Sequence, residues 1–270
     1  MRVGVVGHVE WIEFVSVERI PEPGDIVLAD EWWGEAAGGG GGAAVELARL
    51  AGSSTLFTAL GDEELGRRSA GGLESLGVSV EAAWRLNEPQ RRGFCYLDAD
   101  GERTITILGD KLRPQRAEPL PWETLGSFDG VYFTGGDAEA LRAARAARVL
   151  VATARELPTL REAGVELDAL VASASDPAER YEDGDLDPPP RLVAFTEGKH
   201  GGRLVPGGRW EAAPLPGPKA DVYGAGDCFA AGLTFALAQG LEPPEAAAFA
   251  ARRSAEAMTR RGGNGPGGRR

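Results

Sequence analysis

The sequence predicts an α/β protein, with a mostly parallel central sheet, helices between its strands and a small second sheet inserted into the body. Two observations carry this. Short β-branched runs alternate with alanine- and leucine-bearing helical stretches along most of the 270 residues, the pattern of repeated βα units. In the first half the alternation gives way to strand patterns joined by turns, as in Gly93 to Leu108 with a hairpin bend at Asp98-Ala-Asp-Gly101.

Taken in order, Val3-Gly-Val-Val-Gly7 has the look of a first buried strand. Pro21, Pro23, Gly24 and Asp25 make a turn, and Ile26 to Trp33 reads as an edge-type strand. Glycine then fills positions 38–42 as a turn for close ligand approach, feeding a helix from Ala43 to Ala51. Thr55 to Leu60 is a strand, Gly61 to Gly66 a turn and Arg67 to Leu76 a helix closed by Gly77. Val78 to Leu86 joins the hairpin of residues 93–108 and residues 20–34 in the predicted small sheet, a candidate lid. Lid strands are thus expected from about 12–34 and 78–108. From Gly130 to Thr134 the alternation resumes, with helices at 138–147 and 157–163 and strands at 149–152, 169–172, 191–196 and 203–205. Residues 262–270, rich in glycine, are expected to be frayed.

Composition narrows the function. With 43% hydrophobic residues the chain can bury a large core. The formal charge of −12, from 29 basic and 41 acidic residues, argues against a nucleic-acid surface. Cys95 and Cys228 lie far apart with no CxxC spacing, which suggests neither a disulfide framework nor a zinc site and fits a reducing cytoplasm. The apolar run at the N-terminus, Val3 to Gly7, is too short for a signal peptide, and no stretch reaches the length of a membrane span.

The stretch richest in chemistry is Asp221-Val-Tyr-Gly-Ala-Gly-Asp227, followed by the apolar run Cys228 to Gln239. Two glycines permit a tight turn with converging amides at the N-terminus of a buried helix, an anion site that also contains a carboxylate. An ordinary capped core helix accounts for the same residues. Further glycine-bearing turns at 38–42 and 196–202 stand where strands of a parallel sheet end, so all three can converge on one crevice. A P-loop is absent, because Lys199 is followed by His200 and Ala194 stands where that motif needs glycine. The glycines at 38–42 fit a dinucleotide fingerprint poorly, since Trp-Trp-Gly-Glu-Ala-Ala precedes them and not a clear strand.

Over nearly its whole length the chain resembles the ribokinase-like (PfkB) family of carbohydrate and nucleoside kinases. Gly38 to Leu50 resembles the family's first signature, Gly61 to Gly66 its following turn, Asp100 to Thr104 its lid hairpin, and Asp221 to Leu233 its second and more specific signature. The resemblance implies one three-layer α/β/α kinase domain over residues 1–270 with a β-sheet lid that often forms a homodimer. It also implies transfer of the γ-phosphoryl of ATP, with Mg2+, to a hydroxyl of a sugar or sugar derivative. In that scheme Asp227 is the base, and Gly224, Ala225 and Gly226 form the anion hole. Thr196, Gly198 and Gly201 bind nucleotide, while Asp176 and Glu179 act on magnesium through water. Asp176 before Pro177 fits a helix cap equally well. Glu10, Gly39, Gly40, Gly42 and Asp221 fall at the acceptor. The departures lie there: Gly42 stands in place of an asparagine, Glu10 or Glu13 in place of a sugar-binding aspartate, and Val222 and Tyr223 in place of two threonines tied to monovalent-cation binding. A nucleoside kinase and a catalytically weak binding or regulatory protein are the alternatives on the same fold.

Overall fold

The computed structural model describes residues 1–100 and 102–264. In chain order its elements are β1 (Val3–Val6), β2 (Glu10–Ser16), β3 (Glu31–Ala37), α1 (Gly38–Ala51), β4 (Ser54–Gly61), α2 (Glu64–Glu74), β5 (Val78–Arg85), β6 (Arg92–Leu97) and β7 (Arg103–Leu108). They continue with β8 (Gly130–Phe133), α3 (Ala138–Ala144), β9 (Val149–Thr153), α4 (Leu157–Ala163), β10 (Ala169–Ser173), β11 (Val193–Thr196), β12 (Gly202–Val205), β13 (Arg209–Trp210), α5 (Ala225–Ala238) and α6 (Pro243–Ala257).

Among the described residues the strands form two sheets. The large one runs β13-β12-β11-β10-β9-β8-β1-β4-β5, parallel from β11 to β5, with β12 and β13 added antiparallel at one edge. Side chains alternate across its faces, as the period of two requires. Val3 and Val5 join a core with α1, α2, α5 and α6, whereas Val6 joins a second core with α3, α4 and the 3-10 turn Trp122–Ser127. Helices on both faces of a parallel sheet make the three layers. The small sheet runs β3-β2-β6-β7, with β2 and β6 parallel and the outer pairs antiparallel. Its inner face packs Ile12, Phe14, Cys95 and Leu97 on Tyr223, so the lid rests on the turn that leads into α5.

Several local expectations change. Residues 78–85 pair in parallel with β4 and close the edge of the large sheet instead of joining the lid. The edge strand expected over 26–33 begins at Glu31 and runs on to Ala37. The glycine run is itself the first turn of α1 and not a turn ahead of it. α6 was not anticipated, although Pro243 and Pro244 at its start and alanines at 246, 247, 250 and 251 fit a helix. Gly262 to Asn264 are anchored and not frayed: the Gly262 amide donates to Asp221 at 2.8 Å, and the Gly263 amide to Glu35 at 2.6 Å. Gly101 and residues 265–270, covered by the expected hairpin bend and frayed tail, lie outside the described residues.

Candidate active site

A cavity of about 570 Å³ opens where β1, β8, β9, β10 and β11 end, roofed by β7 of the lid. Its volume is in the range of small-molecule sites. Gly224 caps α5 with φ of 73°, a left-handed conformation that glycine adopts without strain. Ala225, Gly226 and Asp227 form the first helical turn, whose amides lack intrahelical acceptors. The positive end of the helix dipole therefore faces the cavity. Gly224, Gly226 and Asp227 line it, whereas Ala225 of the expected anion hole does not, its amide donating to the Val222 carbonyl at 3.5 Å. Asp227 is half-buried at the cavity wall, yet deep enough among protein atoms that desolvation pushes its carboxyl up to about 6. Nearby Glu179 adds to the rise, and Arg103 and Arg155 oppose it.

The glycine run brings a second helix start against this carboxylate. A Cβ on Gly39 would stand 2.7 Å from Thr134 Oγ1 and 3.3 Å from Asp227 Oδ1; one on Gly40 would meet the His8 carbonyl oxygen at 2.5 Å. Only glycine lets α1 approach so closely, and that packing overrides glycine's poor helix propensity. Gly39 lines the cavity, while Gly40 and Gly42 lie beneath its surface, Gly42 still near Asp227.

His8 follows β1 and is only 6% exposed. Its ring lines the cavity with Nε2 3.4 Å from Glu10, while its Nδ1 is buried on the side of Gly135 without a hydrogen-bond partner. Desolvation lowers the His8 pKa and keeps the ring neutral, outweighing the hydrogen bond to Glu10. Burial also pushes on Glu10, in the raising direction, but the His8 contact and the charges of Arg91 and Lys111 together hold that carboxyl below its usual range. Arg91 Nε lies 2.7 Å from Glu10.

Asp221 does not reach the cavity. It is fully buried, with one oxygen accepting from the Tyr223 amide at 2.7 Å and the other from Gly262, so it shapes the turn before Gly224 and ties down the residues after α6. Burial raises its pKa. Tyr223, one of the replacements in the second signature, reaches the Gly38 amide with its hydroxyl at 3.4 Å and meets Phe14 of the lid edge-on.

At the other end, Thr196 closes β11 and lines the cavity, while Gly198 and Gly201 form a shallow adjoining hollow with Thr196, Trp210 and Ala255. Asp176 caps the turn Pro177–Glu179 through the Ala178 amide at 2.9 Å and also pairs with Arg155 at 2.6 Å, outside the main cavity. Glu179 lines the cavity and pairs with Arg155 at 2.7 Å. Sequence reading missed His8 and five cations of the lining, Arg91, Arg103, Lys111, Arg113 and Arg155. One signal was legible: Arg103, Ile105 and Ile107 alternate along β7, so they share the face turned to the cavity.

A carboxylate beside a helix N-terminus, at the strand ends of a parallel sheet and under a lid, is an arrangement of the α/β class that suits phosphoryl transfer. The model of the pfkB family carbohydrate kinases matches residues 2–183 and 158–267, and the chain belongs to that family. No curated protein matches the sequence. Among solved structures, the adenosine kinase of Sinorhizobium meliloti aligns with a TM-score of 0.78 at 19% identity, over 98% of this chain and 95% of its own. The ribokinase of Thermotoga maritima gives 0.76 at 20%, over 97% and 94%. The Arabidopsis thaliana ribokinase complexed with ribose and ATP gives 0.74 at 21%, over 97% and 93%. At these identities the likeness establishes the ribokinase-like fold.

Proposed function

We propose that the protein transfers the γ-phosphoryl group of ATP to a hydroxyl of a small sugar or sugar derivative. The observation that carries this reading is Asp227: a carboxylate raised to about 6, at the first turn of α5, with the glycine start of α1 against it. Ionised near neutral pH, it takes the proton of the acceptor hydroxyl as the oxygen attacks phosphorus. The amides of Gly224, Gly226 and Asp227 and the helix dipole stabilise charge on the transferring group, which needs positioning and electrostatics more than covalent help. Thr196, Gly198 and Gly201 form the nucleotide end.

Among the described residues no three His, Cys, Asp or Glu side chains cluster as a metal nest. Mg2+ in kinases is held largely by phosphate and water and needs only one or two carboxylates, and Glu179 at the cavity fits that role, with Asp176 behind it. When bound, the ion neutralises phosphate charge. The half-exposed outer lid face, with Trp32 at 64% and Phe94 at 40% exposure, supports a homodimer through the lid.

ATP consumption measured with Mg2+ against a panel of sugars and nucleosides tests the reading. Turnover of a sugar supports it, and turnover confined to nucleosides redirects it to a nucleoside kinase. Ligand-induced thermal stabilisation with no turnover across the panel would replace it with a binding protein.

A further inference from the structure

The acceptor end of the cavity is rich in donors and poor in acceptors. A neutral polyol presents hydroxyl protons that carboxylate oxygens accept most strongly, whereas an anion takes donors alone. Apart from Asp227, Glu10 is the one carboxylate of the lining at this end, and Arg91 and His8 occupy it. Lys111 and Arg113 share a single carboxylate, Glu156, at 2.9 and 3.3 Å. Arg103 has no carboxylate partner among the described residues. It reaches the Val222 carbonyl only at 3.5 Å and lies 5.5 Å above the Tyr223 ring, which orients it from the lid. Arg91, Arg103, Lys111 and Arg113 thus face Glu10, Glu156 and Asp227, four cations against three carboxylates, and Arg103 is the one left without a carboxylate in salt-bridge contact. On a protein of net charge −12 this local surplus is the reverse of the average.

Resting on the kinase reading, we infer that the acceptor carries an anionic substituent, a phosphate monoester or a carboxylate, which Arg103 of the lid holds while Lys111 supplies a second charge beside His8 and Glu10. The guanidinium fork matches either anion with two parallel hydrogen bonds. Because Arg103 rides on β7, capturing the anion also draws the lid toward Asp227. Ile105 and Ile107 on the same strand face then cover the carbon skeleton and exclude water.

The test compares hexoses with their 6-phosphates and with the corresponding hexonates, using kcat/KM and calorimetric binding in the presence of ADP. The anionic members are expected to lead the neutral ones by tenfold or more, and the phosphate and carboxylate arms identify the anion. Arg103→Gln should shrink that lead by about 10- to 100-fold, the worth of a charge-assisted pair, with Arg103→Lys recovering part of it and KM for ATP unmoved. Lys111→Gln is a second variant, checked by thermal melting because Lys111 partners buried Glu156. Neutral acceptors used as well as anionic ones overturn the inference and leave the kinase reading intact. A rise in KM for ATP with an unchanged anionic lead assigns Arg103 to the triphosphate and overturns it too, as does no binding by any anionic member. Anion binding sensitive to Arg103 without turnover of any acceptor overturns the kinase reading and leaves the anion site standing.

Discussion

Replacing Asp227 by Asn keeps the side chain's shape against Gly39 while removing its ability to accept a proton. A positioned general base contributes roughly 10²- to 10⁴-fold, so kcat is expected to fall by at least ~10²-fold while ATP affinity changes little. The pKa adds a sharper test. With the carboxyl pushed up to about 6, about nine in ten molecules carry the base at pH 7. In the wild type kcat/KM for the acceptor should therefore be level above pH 7 and fall through a limb near 6, tenfold per pH unit below it. Glu179→Gln removes a like charge and should move the limb down, whereas Arg103→Gln removes an opposing charge and should move it up. Stability supplies an independent sign. The folded-state pKa is raised from 3.8 to about 6, so the folded protein binds more protons than the unfolded chain in that window, and stability falls as pH rises through it. Asp227→Asn, free of the desolvated carboxylate, should melt no lower than the wild type at pH 8 while losing turnover. Steady-state kinetics from pH 5 to 9 and parallel thermal melts read all of this. Near-normal turnover in Asp227→Asn, or an acid limb that ignores both neighbouring charges, would refute the assignment.

Two further outcomes follow from buried charge. Glu35 is raised from 4.5 to about 7, first by desolvation and further by Asp221, against the hydrogen bonds from the Gly263 and Asn264 amides. Stability should therefore decline as pH rises from about 4.5 to 7, and Glu35→Gln should flatten that part of the melting profile; an unchanged slope in the variant would remove Glu35 as its cause. Glu46 is fully buried and meets Arg253 at 2.7 Å, Arg260 at 3.1 Å and Arg49 at 3.4 Å. Breaking such a network leaves cations without compensation, so Glu46→Gln is expected to cost about 3–5 kcal/mol in urea unfolding, and a loss under 1 kcal/mol would show that water screens the arginines.

The two ends of the crevice differ in how far local sequence reveals them, for a physical reason. The proposed transfer end is built by contiguous residues: a glycine at positive φ, a helix start and an acid two residues beyond its first position, all within Gly224 to Asp227. Local chemistry suffices to read it. The proposed acceptor end is assembled from the end of β1, the start of α1, a lid strand and the loop after it, and its character depends on which charges are left over after pairing. Pairing is tertiary, so Lys111 and Arg113 look like ordinary surface cations in sequence. The same cause misplaced Val78 to Arg85, whose strand character was visible but whose partner, β4, was a matter of long-range pairing. It also hid the anchoring of Gly262 to Asn264, where the recognisable feature is their bare amides and the decisive one is two carboxylates, buried Asp221 and half-buried Glu35, set far back in the chain. Because Asp221 holds both the turn into α5 and the segment after α6, the residues around Asp227 and the end of the described chain are one mechanical unit. The lid rests on that unit through Tyr223, so the proposed capture of an anion by Arg103 would act on Asp227 through packed side chains.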